Sequence, residues 1–440
     1  MKTLEYKSQL EIKYNVDVLV LGGGPSGVAA AVKCARQRLK NKGDKHPRVM
    51  LIEQSGCLGG SSILAMVAEI MNFDDGENFL AGGFGREVHD TLFGECKYKR
   101  EWQDVHPEEL KRQYDKMITE AGVELLLYTK VVNAVCNTEG RVDYAIVSGP
   151  DGMYAINADY YIDCTGAASF CESAGAKSYY GDTNGTAMSA TLCSQWCGVN
   201  FEQLRYQEKY LKEAYEEGIL SQYDTALPGI KRMYPEYGVG GGNIGHCFGV
   251  DDRNAEDMTK ATLKVRLILS EYEKYYRKYV AGCENVVLIQ TATNLGIRES
   301  RRVECETMLT IDRFDSDIPF EDEIGRYSYP IDIHPMTADK AGMQNFFKNV
   351  SKEHTKGGSY SIPYSCLLPK GFSNLFVAGK CIGADHEMIA SVRVIPGCYI
   401  TGQATGIAAA VCCDNSCDNT AVDYNELRQR LIEAGAYLKN

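Results

Sequence analysis

The spacing Gly22-x-Gly24-x-x-Gly27 is one that can hold a pyrophosphate. Gly22 permits a tight turn, Gly24 lets the backbone approach the phosphates, and Gly27 lets a helix pack closely on the preceding strand. Pro25 and Ser26 fill the turn, where the first amides of the helix would face the anion. Glu53, at the end of the next apolar run, can accept from ribose hydroxyls, and Gln54 follows it. Five further residues are of types that hold anions or move protons. Arg298 and Arg393 carry planar guanidinium forks that match a carboxylate or carbonyl oxygen. His246, His334 and His386 titrate near neutrality and could act as general acid or base. A hydrogen-bonded structural role is the alternative for each histidine, and a salt bridge that pins a turn is the alternative for Arg393. His46, His89, His106 and His354 sit in polar stretches and read as surface residues. Arg298-Glu-Ser-Arg301-Arg302 places three arginines beside an acid, which suggests a buried ion network from which Arg298 reaches toward substrate.

Those positions require a strand–turn–helix–strand unit, and residues 17–53 read as one. Asp17-Val-Leu-Val-Leu runs into the glycines, a small-residue helix begins at Val28, and Val49-Met-Leu-Ile precedes Glu53. The stretch Asn41 to Arg48 lengthens the connection. Directly afterwards comes Leu58-Gly59-Gly60-Ser61-Ser62, a glycine pair that lets backbone lie against a ligand. A domain for NAD alone has no reason to place glycines there, whereas the flavin end of FAD passes over such a loop. Residues 63–120 read as mostly helical. Residues 123–156 read as a β-meander, with Val131 and Val132 as further cofactor contacts, and Tyr160 to Gly166 as a strand running into a Thr165-Gly166 turn that forms a second nucleotide contact.

The middle of the chain differs in character. Phe201 to Ile219 and Asp257 to Tyr279 are amphipathic and charge-laced, and Gly238 to His246 is glycine-rich. That glycine stretch lacks the Lys-Ser/Thr of a P-loop and reads as a mobile or closely packed loop near the ligand. From Asn285 the core is expected to return with a buried strand at Val286. A strand Leu375 to Gly379 follows, then a helix through Ile400 and Gly402 whose N-terminus faces the flavin pyrimidine ring. Gly379, Ile400 and Gly402 are therefore expected at the cofactor. The fold class is α/β, a Rossmann-like FAD-binding domain of the two-dinucleotide-binding-domain flavoprotein type. The expected order is 1–70 FAD-binding part, 71–122 helical insertion, 123–166 meander and return, 167–284 substrate or cap domain, and 285–440 completion of the FAD-binding domain.

Composition narrows the function classes. The net charge of −12 argues against nucleic acid or an anionic membrane as main partner. No apolar run approaches the roughly 20 residues of a membrane helix, and the polar start does not read as a signal peptide, so a cytoplasmic protein is expected. The 17 cysteines are scattered. Cys193-x-x-x-Cys197 and Cys412-Cys413-x-x-x-Cys417 have the wrong spacing for zinc or iron–sulfur ligation, so no metal site is expected.

Over most of its length the chain resembles the FAD-dependent oxidoreductase family that sits beside the fumarate reductase flavoproteins and the heterodisulfide reductase flavin subunits. The residues that carry the resemblance are the Gly22 to Gly27 turn, Leu58-Gly-Gly60, Gly296-Ile-Arg-Glu-Ser-Arg-Arg302, Tyr329-Pro-Ile-Asp-Ile-His334, Ala378-Gly-Lys-Cys-Ile-x-Ala-x-His-Glu387, Ser391-Val-Arg-Val-x-Pro396 and Gly402-Gln-Ala-x-Gly406. It implies FAD and redox chemistry on a small organic molecule: reduction of an activated C=C or C=O bond or the reverse oxidation. An electron-transfer subunit serving a protein partner is the alternative. In the fumarate reductase relatives an arginine placed like Arg393 binds a substrate carboxylate. Their His-Gly-x-Asn-Arg is Asp-His386-Glu-Met-Ile-Ala-Ser-Val-Arg393 here. A second complete GxGxxG is missing, so NAD(P)H would visit transiently or a protein donor would supply electrons. Homo-oligomerisation is left open.

Overall fold

The computed structural model describes residue 4, residues 7–41, 48–226, 229–337 and 352–439, and residues 342, 344, 347 and 348. Most of the lengthened connection after the first helix, and His46 within it, therefore lie outside the described residues.

Strand Ile12–Leu21 is the hub of the main sheet. It pairs in parallel with Val49–Ile52 on one side and with Gly152–Asp163 on the other. Glu124–Leu126 adds to Val49–Ile52, and Leu375–Val377 adds to Gly152–Asp163, all in parallel. Val18 and Val20 point to one apolar cluster, Leu19 and Leu21 to another, which is why the strand is apolar without alternation. Helices Pro25–Asn41 and Ile395–Asn415 cover the first face. The second helix is buried on every side from Ile395 to Cys412, as a helix through the middle of a core must be. Among the described residues no single helix is long and apolar enough to cross a membrane.

The meander is more deeply merged with this sheet than its sequence suggests. Met153-Tyr-Ala-Ile and Tyr160 to Asp163 are one continuous strand, Gly152–Asp163. Its first half pairs antiparallel with Val142–Gly149, and its last three residues pair with Leu375–Val377. Asn374 is wholly buried at this fork. Its Nδ2 donates to the carbonyls of Val142 and Asp159, and its Oδ1 accepts from the Val142 amide at 2.9 Å. Asn374→Ala strands these backbone groups in the core and is expected to destabilise the protein by about 2 kcal/mol, read as a lower denaturant midpoint at unchanged slope.

Residues 63–120 are not mostly helical. They hold two helices, Phe84–Phe93 and Pro107–Glu120, together with irregular chain and a short two-stranded pair of Glu69–Ile70 with Gln103–Asp104. His89 is buried at 3% exposure, edge-on to Phe73, Phe79 and Phe93, rather than at the surface. The aromatic residues around it override its polar neighbours in sequence.

A second layer is built on an antiparallel sheet ordered Ile230–Tyr234, Val239–Gly242, Ser194–Cys197, Val287–Thr291. Helix Ala255–Tyr279 packs on it, with Trp196 edge-on to Tyr276 at 5.4 Å. Within the amphipathic segment Phe201 to Ile219 only Leu211–Glu216 is an α-helix. The glycines after 238 form a strand instead of a loop. Side chains on Gly240 and Gly242 would fall 2.3 and 2.4 Å from Ile230 and Ile244, so they are small because the layer is tight there. Val287–Thr291 is mostly exposed and pairs with Ser194–Cys197, so the strand expected to rejoin the parallel core at 285 belongs to this second sheet.

Candidate active site

The two layers enclose a cavity of about 480 Å³. Its floor is the C-terminal edge of the parallel sheet, where open α/β sheets place their ligands. Gly22, Gly24, Pro25, Ser26, Glu53, Gln54, Gly60, Ser61, Val131, Thr165 and Gly166 all line it, as their sequence motifs lead one to expect. From the second layer Asp252, Met258 and Thr262 close over it.

Local chemistry explains each turn. Gly22 has φ +105°, and a side chain there would meet the Cys164 carbonyl. A side chain on Gly24 would meet nothing within 4 Å, so this position faces open cavity. The Leu58-Gly-Gly loop is tied to the first turn by the Gly59 amide, which donates to the Gly23 carbonyl at 2.8 Å. Glu53 is buried and fixed by backbone amides: one oxygen accepts from Gly23 at 2.7 Å, the other from Ser55 at 2.8 Å. Asp163 orders the Thr165-Gly166 turn in the same way. Its carboxylate accepts from the Thr165 amide and hydroxyl and from the Phe170 and Cys171 amides. The signal for Asp163 was present in Asp163-Cys-Thr-Gly, an acid two residues ahead of a turn threonine.

Several expected cofactor residues support the cavity from behind instead. Ser62 is buried and donates from its hydroxyl to the Gly59 carbonyl; Leu58 packs under Gly23. Gly27 fits helix to strand, since a side chain there would collide with the Gly22 carbonyl. Val132 is 46% exposed, because the ladder shifts register between Val131 and Asn133 and leaves Val132 out of the pairing. Gly379 is backed by Ser26. Helix Ile395–Asn415 starts seven residues before Gly402, so Ile395 and Cys398 reach the cavity while Ile400 and Gly402 are in the core. Lys380 lines the cavity beside Arg393 and donates to the Ile297 carbonyl at 2.9 Å. Lys380 lies within Ala378-Gly-Lys-Cys381, a segment whose glycine marks a turn and whose lysine carries no cue of its own.

Of the five acid–base candidates only Arg393 lines the cavity. It donates to the Asp332 carbonyl at 3.0 Å and to its carboxylate at 3.1 Å, and its Nε is buried without a partner. Arg298 is packed behind it, donating to the Ser189 carbonyl, the Thr191 hydroxyl and the Asn243 side chain. Burial, and then Arg393, lower its guanidinium to about 10. His334 Nε2 lies 3.3 Å from Asp332, and His334 Nδ1 lies 2.8 Å from His246 Nε2. His246 Nδ1 lies 2.8 Å from Asp224. Burial raises the Asp332 carboxyl, but His334, Arg393 and Arg298 outweigh it and hold it well below the usual range. Burial also lowers both imidazoles.

His386 belongs elsewhere. Its Nδ1 lies 2.9 Å from buried Glu299, which Arg302 also grips; of the three arginines expected in one ion network only Arg302 joins this acid, since Arg301 pairs with Glu172 and Arg298 bonds uncharged groups. His386 and His334 line a second cavity, of about 940 Å³, and not the first. Among the described residues no group of three or more His, Cys, Asp or Glu could hold a metal ion, and every described cysteine is a free thiol.

A sequence profile described as FAD dependent oxidoreductase matches residues 17–431. The chain belongs to that family. It is an FAD-dependent oxidoreductase. No curated protein matches its sequence. The fold is shared with a geranylgeranyl bacteriochlorophyll reductase-like protein from Thermoplasma acidophilum, at 11% identity over 96% of this chain and 84% of that one, with a TM-score of 0.50. A p-nitrophenol 4-monooxygenase from Pseudomonas putida DLL-E4 is also similar, at 12% identity over 96% of this chain and 87% of that one, with a TM-score of 0.45.

Proposed function

We propose that the enzyme passes a hydride between FAD and a small organic molecule that carries a carboxylate or carbonyl oxygen, reducing an activated C=C or C=O bond or oxidising the product of that reduction. The observation that carries this is Arg393. It lines the cavity, Asp332 holds its Nη2, and its Nε is buried without a partner. Such a group is aimed before substrate arrives and holds developing negative charge without reorganising. Lys380 also lines the cavity, its ammonium lowered by burial.

In this reading the first amides of helix Pro25–Asn41 and the Gly60-Ser61 backbone hold the pyrophosphate, and Glu53 holds ribose hydroxyls. FAD, when bound, supplies the two-electron chemistry. Met258, Thr262 and Leu295 exclude water from the far side of the cavity. Glu53→Gln turns an amide NH₂ toward the Gly23 or Ser55 N–H, replacing an acceptor with a donor. FAD affinity is expected to fall about tenfold or more, an effect of the size a lost buried acceptor gives. Val132→Thr, outside the cavity, is expected to leave it unchanged. Fluorescence titration of apoprotein with FAD checks both.

The experiment that tests the function is an absorbance spectrum of purified protein followed by anaerobic titration with NADH and NADPH, then with unsaturated and carbonyl acids. Bleaching by a nicotinamide and reoxidation by one of the acids supports the reading. A flavin reoxidised only by a protein partner favours an electron-transfer subunit.

A further inference from the structure

Asp224, His246, His334 and Asp332 form an unbroken buried line with three contacts: carboxylate to imidazole, imidazole to imidazole, imidazole to carboxylate. Each contact needs one ring proton between its two atoms. Two neutral imidazoles carry two ring protons in total, and ionised carboxylates carry none. With both imidazoles neutral, one of the three contacts must set two acceptors against each other. The contacts measure 2.8, 2.8 and 3.3 Å, the longest between His334 and Asp332. One added proton would complete the line.

What withholds that proton is burial first, and then the positive charge of Arg298. Arg298 opposes a positive charge on His334 while Asp332 favours it, and Asp332 is itself held by Arg393 and Arg298. Tyr272, facing Asp224, Tyr329, facing Asp332, and Cys193, beside Arg298, are held in their neutral forms, chiefly by burial, and add no charge. The balance changes if an anion sits against Arg393, because Arg393 and His334 share Asp332. His334 also lines the second cavity, which opens to solvent and supplies a route for the proton.

We propose that Asp224, His246, His334 and Asp332 together take up one proton when negative charge arrives in the cavity beside Arg393. Resting on the reading above, that charge is the anionic form of the two-electron-reduced flavin. Two electrons and one proton from an external donor and water give that form; the second proton comes from water and joins the imidazole pair. Reduction is then accompanied by two protons instead of one. The four residues hold the proton and do not touch the reacting atoms, so they are positioning residues for charge.

The test uses the holoenzyme labelled with ¹⁵N-histidine. Ring nitrogens are counted by NMR at neutral pH before and after anaerobic reduction with dithionite, and proton uptake is read with a pH indicator in weak buffer. Three ring protons on the His246–His334 pair after reduction, and two before, are expected. Uptake is expected to drop by one proton per two electrons in His334→Gln. Two ring protons in both states, or the same uptake in His334→Gln as in the natural protein, overturns the proposal. Bleaching of the visible flavin band in the same sample reports separately on whether the flavin takes electrons.

Discussion

Arg393→Gln is expected to lower kcat/KM for the substrate by about 10²- to 10³-fold, the loss that follows removal of one preorganised donor to developing charge. The loss should fall mainly on kcat if the guanidinium meets charge that grows during hydride transfer, and mainly on KM if it meets a carboxylate charged throughout. Arg393→Lys separates charge from geometry. A lysine keeps the cation but cannot bind Asp332 and the cavity through one planar fork, so it should recover only part of the activity. Stability must be measured alongside, because removing Arg393 takes one of the cations from buried Asp332. Steady-state kinetics with thermal unfolding of each holoenzyme decides the matter. Unchanged kinetics in a folded, flavin-loaded Arg393→Gln protein would show that the arginine only pins the turn.

Gly406→Val is expected to destabilise the protein by about 3 kcal/mol or more, an overpacking cost at the upper end of its ordinary range. Helices Pro25–Asn41 and Ile395–Asn415 approach so closely that a Cβ on Gly406 would lie 2.1 Å from the Ala30 carbonyl oxygen. One turn earlier, a Cβ on Gly402 would lie 2.2 Å from the Ser26 carbonyl oxygen. The atoms in the way are backbone on the partner helix, so no side-chain rotation relieves either clash. The two positions should differ in what they damage. Gly406 is deep in the core, and its substitution should cost stability alone. Gly402 presses on Ser26 in the cavity turn, so Gly402→Ala should also weaken FAD binding. Denaturant melts of the apoproteins, paired with FAD titrations, distinguish the two outcomes.

The parts of the site legible in the sequence are those that local backbone rules govern. Gly22, Gly24, Glu53, Gly60 and Thr165-Gly166 reach the cavity because a strand end, a tight turn and a helix start leave little choice of geometry. Gly402 was misplaced by one cue: its small-residue pattern marks a helix that must pack tightly, and that requirement looks the same whether the neighbour is a cofactor or another helix. Val287–Thr291 was misassigned because a short apolar run carries no mark of which sheet it joins. Lys380 and the Asp224–His246–His334–Asp332 line were invisible for another reason. Nothing in the sequence joins Asp224, His246 and the Asp332–His334 pair, or sets Lys380 beside Arg393, and only the completed fold brings them together.

Strand Gly152–Asp163 has one neighbour near the chain start and another more than 200 residues downstream of itself. On the ribosome, then, the Gly22 to Gly27 turn is made well before Leu375–Val377 and Ile395–Asn415, the segments that complete its surroundings. Until then the apolar edge at Tyr161 to Asp163 stands unpaired, and the face of helix Pro25–Asn41 that Ile395–Asn415 will cover stays wet. Non-local pairing of this kind is slow and leaves sticky surface exposed meanwhile. Nascent chains stalled before residue 375 should therefore depend on chaperones and bind no FAD, and loading of the cofactor becomes a post-synthetic event.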